Sequence, residues 1–421
     1  MKVKFNTAHN WLRGAEIGYG ALVLFVLTIG PIFTLWRNAQ LGNPALPIEA
    51  AHLATFVGVQ LPALFLLGKR VTPFSSWKSA EWYLSALVGW LLITALASDT
   101  GAYAVGNSVK SALCVTTGLY LATSFSRQQQ LVVVTISMHI GVIISRFAIA
   151  RNWPDSIFES REWSGIYVNP NLLGPVAAMA AVSLLLLAMQ RFNQIPREWR
   201  IAVAVLVGDI AIFDVVMLFH TKAFTSIFSS LIVLVIVATA FGINRFVPRD
   251  KRNNWWGRSV ATLSVGFALS MLVLYKFSSL VSGKLLPKSV LQERIFAWRF
   301  SWTGFMDRPW LGWGQGVAWS NQIFRRLNMY WTVENIGHSH SAYFDVLLSG
   351  GVLAGVFFCA YLATALYRLM KLETPQQSDV VRLSLIFFCL IAALFEPFIA
   401  TNYFMWPILV MALAPDKQIN Y

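Results

Sequence analysis

Apolar runs of about 20 residues recur along most of this chain, and they constrain its fold more than any other feature; such a run is long enough for an α-helix to cross a bilayer. The sequence contains twelve of them, near residues 16–36, 50–68, 81–98, 103–125, 130–150, 169–190, 199–220, 223–247, 259–277, 341–369, 379–398 and 400–414. Only 12% of the residues are charged, against about a quarter in a soluble domain. The chain is therefore predicted to be an all-α polytopic membrane protein with about twelve transmembrane helices, in a single integral membrane domain over residues 1–421.

The basic residues predict how these helices are oriented. The formal net charge is +14, but Lys and Arg concentrate in one alternating set of short loops, and the other short loops are nearly bare of them. This positive-inside distribution is typical of membrane proteins, and it argues against a nucleic-acid partner. We expect both termini to be cytoplasmic, and the two long loops, residues 150–168 and 277–340, to face outward.

Part of the second long loop has helical periodicity. Four large apolar side chains recur there at the spacing of one helix face, namely Ile295, Trp298, Trp302 and Phe305. Arg294 falls off that face. The pattern predicts a Trp-rich amphipathic helix, which either lies on the membrane surface or caps the helical bundle.

A glycine-rich turn follows this helix. Asp307-Arg308-Pro309 ends the helix, and Gly312, Gly314 and Gly316 come directly after it. Because glycine has no Cβ and adopts positive φ at little cost, we predict a loop that approaches a ligand closely.

The loop closes on two histidines, His338 and His340. An H-x-H pair can bind zinc, but zinc sites use at least three protein ligands, and Glu334 is the only further candidate nearby. We therefore predict no metal. A solvated loop is a second interpretation. A third is a general base, since the ordinary pKa of histidine, about 6.5, lets it accept a proton from a hydroxyl near neutral pH.

The outward segments also carry arginines, against the charge bias. They are Arg151, Arg161, Arg294, Arg299, Arg308, Arg325 and Arg326. Any of them can extend to lipid phosphates at the membrane surface. Together they can also clamp a phosphorylated lipid, because guanidinium binds phosphate oxygens in a bidentate manner and keeps its charge.

Four segments of the chain share their order and spacing with one known family. They are Gln292-Glu293-Arg294-Ile295-Phe296-Ala297-Trp298, Asp307-Arg308-Pro309-Trp310-Leu311-Gly312-Trp313-Gly314, His340-Ser341 with nine residues before Gly351, and Gly165-Ile166-Tyr167-Val168-Asn169-Pro170-Asn171. This order resembles the O-antigen ligase and polymerase superfamily of bacterial envelopes. The family pattern is an Arg with a Trp four residues on, a Pro-x-Leu-Gly-x-Gly turn, and a His-Asn/Ser followed by Tyr and a later Gly.

The resemblance implies a metal- and ATP-independent glycosyltransferase of the bacterial inner membrane, with no cofactor and with its active site on the periplasmic face. The donor would be a glycan on undecaprenyl diphosphate. The acceptor of a ligase would be a hydroxyl of lipid A-core, and membrane lipids would surround the enzyme. A polymerase would extend another lipid-linked repeat instead.

The same resemblance assigns roles to individual residues. His340 or His338 would be the base, and Arg294 and Arg161 would be catalytic contacts to the donor diphosphate. Arg308 and Lys222 would complete the diphosphate site. Lys222 enters because the chain departs from the family here: Ala223-Phe224 stands where the family often has a Ser-Arg pair.

Several alternatives remain open at this point. The spacing from His340-Ser341 to Gly351 favours a ligase over a polymerase, and a protein O-oligosaccharyltransferase is a third enzyme of the same superfamily. A lipid-linked glycan transporter or flippase is a different class. It would use Lys110, Asp209 and Asp214, which lie within apolar runs, as an ion pathway, although an internal ion pair between helices explains such charges equally well.

Overall fold

The computed structural model describes residues 7–28, 48–70, 79–158, 161–167, 169–281, 288–319, 338–372 and 375–415. Helices dominate this part of the chain, and one isolated bridge joins Ile157 to Trp163. The α-helices are α1 Thr7–Leu27, α2 Ile48–Arg70, α3 Ser79–Leu96, α4 Gly101–Ser124, α5 Arg127–Ala150, α6 Pro170–Arg191, α7 Arg197–Thr221, α8 Phe224–Phe246, α9 Arg252–Val281, α10 Lys288–Asp307, α11 Ala342–Met370, α12 Gln377–Ala392 and α13 Met405–Leu413. Glu334, Arg325 and Arg326 lie outside the described residues.

The described helices support a polytopic membrane protein. By length and composition, six of them can cross a membrane: α3, α5, α6, α7, α8 and α11. The all-helical membrane class is therefore confirmed, whereas the twelve predicted spans and the sidedness of the loops stay predictions. Helix α9 continues to Val281, past the predicted start of the second long loop at residue 277.

The last two apolar runs form shorter helices than the sequence predicted. Helix α12 has 16 residues and α13 has nine, and a span needs about 20. The chain between them, around Pro397, is not helical. Both helices are almost entirely buried and pack on each other. Their apolar character agrees with this burial, and whether they cross the membrane stays a prediction.

The chain forms two compact units, Met1–Arg70 with Tyr120–Leu231, and Val71–Leu119 with Ile232–Tyr421. In the first unit, α5 packs on α1 and α6, and α6 packs on α7. In the second unit, α11 packs on α3, α9, α10 and α13. The glycine turn, the two histidines and Arg294 all belong to the second unit.

Helix α11 is kinked, and the glycine turn docks on the kink. Gly351 has φ 66° and ψ −161° inside the helix. The N–H of Val352 consequently donates to the carbonyl of Pro309 at 2.7 Å instead of to that of Leu348. The Leu348 carbonyl in turn accepts the N–H of Trp313 at 2.7 Å. The kink and the turn thus satisfy each other's backbone groups.

Contacts with the protein itself already account for the turn glycines, and the close approach to a ligand stays a prediction. A Cβ on Gly312 would lie 2.6 Å from the Leu348 carbonyl oxygen. A Cβ on Gly314 would lie 2.8 Å from the Ser98 side chain, and one on Gly316 would lie 2.8 Å from Asn107. All three glycines have positive φ, which side chains also disfavour.

Helix α10 buries a different face from the one its large apolar residues predicted. Its buried side chains follow a helical spacing and are Arg294, Ala297, Trp298, Phe300, Ser301 and Phe305. Trp302 is 42% exposed. Arg294 is only 6% exposed, so its predicted position off the buried face is wrong. The helix packs on α11, which agrees with the bundle-capping alternative.

Candidate active site

The two histidines lie on a short, well-braced loop immediately before α11. The N–H of Ser339 donates to Asp345 Oδ1 at 3.2 Å, and the N–H of Ser341 donates to the Ser339 hydroxyl at 3.0 Å. His340 has φ 51°, a conformation that non-glycine residues adopt at some cost. Strain of this kind is common at functional sites, and the surrounding hydrogen bonds hold it in place.

A buried glutamate joins His340 to Arg294. Glu396 Oε1 accepts a hydrogen bond from Arg294 Nη2 at 2.9 Å, and Glu396 Oε2 lies 3.5 Å from His340 Nδ1. Glu396 is 5% exposed and Arg294 is 6% exposed. Residues from α10, from the loop before α11 and from the segment between α12 and α13 therefore meet at one point.

The pKa of the Glu396 carboxyl is lowered. Burial alone would raise this pKa, but the contact with His340 and the charge of Arg294 outweigh burial. Glu396 is therefore a carboxylate near neutral pH. Sequence reasoning missed this residue, although a carboxylate inside an apolar run was a usable signal, because such charges are costly and tend to be functional.

The hydrogen bonds of His338 define its tautomer. The backbone N–H of His340 donates to His338 Nδ1 at 3.1 Å, so that nitrogen has a lone pair and no proton. A neutral ring then holds its proton on Nε2. Burial, followed by the charges of His340 and Arg294, lowers the pKa of His338 to about 4 against the attraction of Glu396. His338 is consequently a neutral hydrogen-bond donor and is poorly suited to accept a proton.

His340 has the opposite arrangement. Its Nδ1 faces the Glu396 carboxylate at 3.5 Å, which favours a proton on Nδ1 and a lone pair on Nε2. The distance is longer than a normal hydrogen bond, as is common for catalytic pairs before a ligand binds. Of the two histidines, His340 has the geometry of a general base oriented by a carboxylate.

His338, His340 and Glu396 together have the composition of a metal site. Potential ligand atoms of His338, His340 and Glu396 lie within 4.8 Å of one another, and two histidines with a glutamate can bind zinc. However, a histidine that binds a metal normally donates its other N–H to an acceptor. Here Nδ1 of His338 is itself the acceptor of the His340 N–H, so a metal bound to a neutral His338 ring would have to break that hydrogen bond. Arg294 already occupies Glu396 Oε1. This arrangement does not fit a metal.

The other predicted phosphate contacts have local surroundings of their own. Arg308 pairs with Asp99 at 2.9 Å and its guanidinium lies 4.2 Å from the centre of the Trp313 ring, so it braces the glycine turn. Arg161 and Lys222 belong to the first unit. Lys222 lies 3.3 Å from Glu162, and Arg161 is exposed, with φ 63° and no ion-pair partner in the described part of the chain.

The Gly165–Tyr167 segment is a buried structural element of the first unit. A Cβ on Gly165 would lie 2.3 Å from Ser145, and the Tyr167 hydroxyl lies 3.1 Å from that of Thr28. Asn169 caps α6 by accepting the N–H of Asn171 at 2.8 Å. As predicted from the sequence, the segment opens the following helix.

One predicted intramembrane charge has a partner that the sequence did not reveal. Asp214 of α7 is fully buried and lies 3.0 Å from Nε2 of His139 on α5. The Nδ1 of His139 lies 2.8 Å from the carbonyl of Thr135, which requires a proton on that nitrogen. The contact favours the internal-pair interpretation of Asp214 over an ion pathway.

Comparison with known proteins gives one finding. Residues 209–359 match a family model described as O-Antigen ligase. The matched region contains Arg294, the glycine turn and both histidines, but it includes neither Arg161 nor Glu396. No curated protein and no solved structure gives a significant match. The predicted resemblance is thereby confirmed for the superfamily, and the match does not distinguish a ligase from a polymerase.

Proposed function

We propose that the chain transfers a glycan from undecaprenyl diphosphate to an acceptor hydroxyl, which the match of residues 209–359 to a family model described as O-Antigen ligase supports. The observation that carries this proposal is the buried contact of Glu396 with both Arg294 and His340. It brings a base and a fixed cation together, which are the two groups that a metal-free displacement of a diphosphate requires.

In the proposed reaction, His340 Nε2 removes the proton from the acceptor hydroxyl as the oxygen attacks the anomeric carbon. The bond from that carbon to the phosphate oxygen breaks, and the diphosphate leaves with the electron pair. Attack opposite the leaving group inverts the anomeric configuration. Glu396 stabilises the imidazolium that forms, as the carboxylate does in a Ser-His-Asp triad. Arg294 stabilises the charge that develops on the diphosphate.

Replacement of the two histidines tests this assignment. We expect His340→Ala in the purified enzyme to lower turnover by about 10²–10⁴-fold, the usual contribution of a general base. His338→Gln keeps a donor and an acceptor, so it should lower turnover far less. Unchanged turnover in a folded His340→Ala variant would disprove the base assignment. Treatment with EDTA should leave turnover unchanged.

The acceptor is proposed to be a hydroxyl of lipid A-core, at the periplasmic face of the inner membrane. The nine residues between Ser341 and Gly351 support the ligase in this choice. A polymerase remains the second candidate, since the family match covers both. A deletion strain separates them: uncapped core with accumulated lipid-linked glycan indicates a ligase, and core bearing a single repeat indicates a polymerase.

A further inference from the structure

Two side chains of α10 each have a buried N–H with no acceptor. Arg294 and Trp298 are one helical turn apart, so they lie on the same face. Within the described residues, Nε of Arg294 and Nε1 of Trp298 have no hydrogen-bond partner. A buried donor left unpaired costs about 1–3 kcal/mol, so two neighbouring examples require an explanation.

Packing does not explain the indole N–H of Trp298. The neighbours of its ring are phenylalanines: the ring centres of Phe344 and Phe395 lie 6.4 and 6.5 Å away. A phenylalanine at position 298 would suit these neighbours without burying a polar group. The Arg294 guanidinium lies 5.6 Å from the centre of the Phe395 ring. Both side chains therefore pack near Phe395, the residue next to Glu396.

We propose that the N–H groups of Trp298 and Arg294 together bind an oxygen of the donor diphosphate, a proposal that rests on the proposed function. Both groups only donate, and a phosphate oxygen only accepts. A sugar hydroxyl can also accept an N–H, but it has no charge to match the guanidinium, and hydrogen bonds to a charged phosphate oxygen are stronger. Trp298 adds a neutral donor beside a guanidinium whose charge is partly offset by Glu396.

Both N–H groups are enclosed by the protein. The ligand oxygen reaches them only after covering side chains move. Binding then supplies the missing acceptor. Without it, the unpaired indole N–H lowers the stability of the protein. This gives the site a signature that ordinary packing lacks: removing the N–H weakens ligand binding without lowering the stability of the free protein.

Trp298→Phe is the direct test, because it removes the N–H and keeps an aromatic ring. The probe is undecaprenyl diphosphate without glycan, bound to purified protein in nanodiscs, with undecaprenol as the uncharged comparison. We expect the variant to bind the diphosphate roughly tenfold more weakly or worse, the scale of a hydrogen bond to a charged group. Binding of undecaprenol and the Tm of the free protein should not fall. Trp310→Phe is the matched control, since Trp310 is 68% exposed.

The outcomes separate this proposal from the proposed function. If the wild-type protein does not bind undecaprenyl diphosphate, the donor assignment itself is wrong. If the wild type binds it and Trp298→Phe binds it equally well, the role of Trp298 is disproved and the proposed function stands. If Trp298→Phe lowers Tm, Arg294→Lys decides. That variant keeps the charge but lacks Nε, so unchanged diphosphate binding would overturn the two-donor site.

Discussion

Replacing Glu396 by Gln removes the negative charge that contacts both Arg294 and His340 and keeps the shape of the side chain. Two unit charges 3.5 Å apart interact by about 5 kcal/mol at an effective dielectric constant of 20, using the distance from Glu396 Oε2 to His340 Nδ1. That is the support an imidazolium at His340 would lose. Arg294 already offsets part of the Glu396 charge, so less than the whole of about 5 kcal/mol should be lost. We therefore expect kcat to fall by about 10²–10³-fold.

Stability should fall as well. Removing one partner of a buried ion pair costs about 3–5 kcal/mol, because the other charge is left buried without compensation. Arg294 is 6% exposed, so most of this cost applies. The assay is transfer turnover at saturating donor, measured at a temperature where circular dichroism shows that the variant is folded.

A control separates the charge at the active site from ion-pair loss in general. Arg368 and Glu81 form a two-pronged pair at 3.0 and 3.1 Å in the same unit, with side chains 20% and 18% exposed. Glu81→Gln should lower stability and leave kcat near the wild-type value. If Glu396→Gln keeps kcat within about twofold of wild type, or if Glu81→Gln lowers it equally, the catalytic role of Glu396 is refuted.

Three further predictions follow from individual residues. The pKa of His338 is lowered to about 4 in the folded protein, so between about pH 6.5 and pH 4 only the unfolded chain binds a proton there. The unfolding free energy of the wild type should therefore decline as pH falls through that window. Denaturation curves of His338→Gln should show a smaller decline. Gly351→Ala places a Cβ 2.3 Å from the Trp310 carbonyl oxygen at a residue with positive φ, so we expect the unfolding free energy to drop by more than about 3 kcal/mol. The control is Gly266→Ala, in open space on α9, which should be neutral or stabilising. From the sequence resemblance alone we propose that Arg161 contacts the donor; Arg161→Gln should then raise the donor KM roughly tenfold with little change in Tm, and an unchanged KM would disprove this role.

The sequence was sufficient for the class of fold because hydrophobic length is a local property. Runs such as residues 341–369 and 169–190 match helices Ala342–Met370 and Pro170–Arg191 closely. The runs at 379–398 and 400–414 instead form helices of 16 and nine residues, and a segment buried inside the protein is as apolar as one that faces lipid. Apolar composition alone does not separate these two environments.

The candidate site could be predicted only in part. Arg294 and His340 stood out because both lie in a polar segment of a mostly apolar chain. Glu396 did not, because its relation to His340 arises from tertiary packing between distant segments. The choice between His338 and His340 likewise depends on one backbone N–H that donates to His338, a contact that no residue pattern encodes.

The spacing between the histidine and the kink glycine has a structural reason. Helix α11 is fixed at its start, where the Ala342 N–H donates to the Ala393 carbonyl at 3.0 Å, and at the kink, where Val352 donates to Pro309. Inserting one residue between these points would rotate the helix start by about 100° and shift it by about 1.5 Å. His340 would then leave the Glu396 carboxylate, which is only 3.5 Å away. The glycine turn therefore contributes to the geometry of the candidate site: it sets the register of the helix that follows His340, the proposed base.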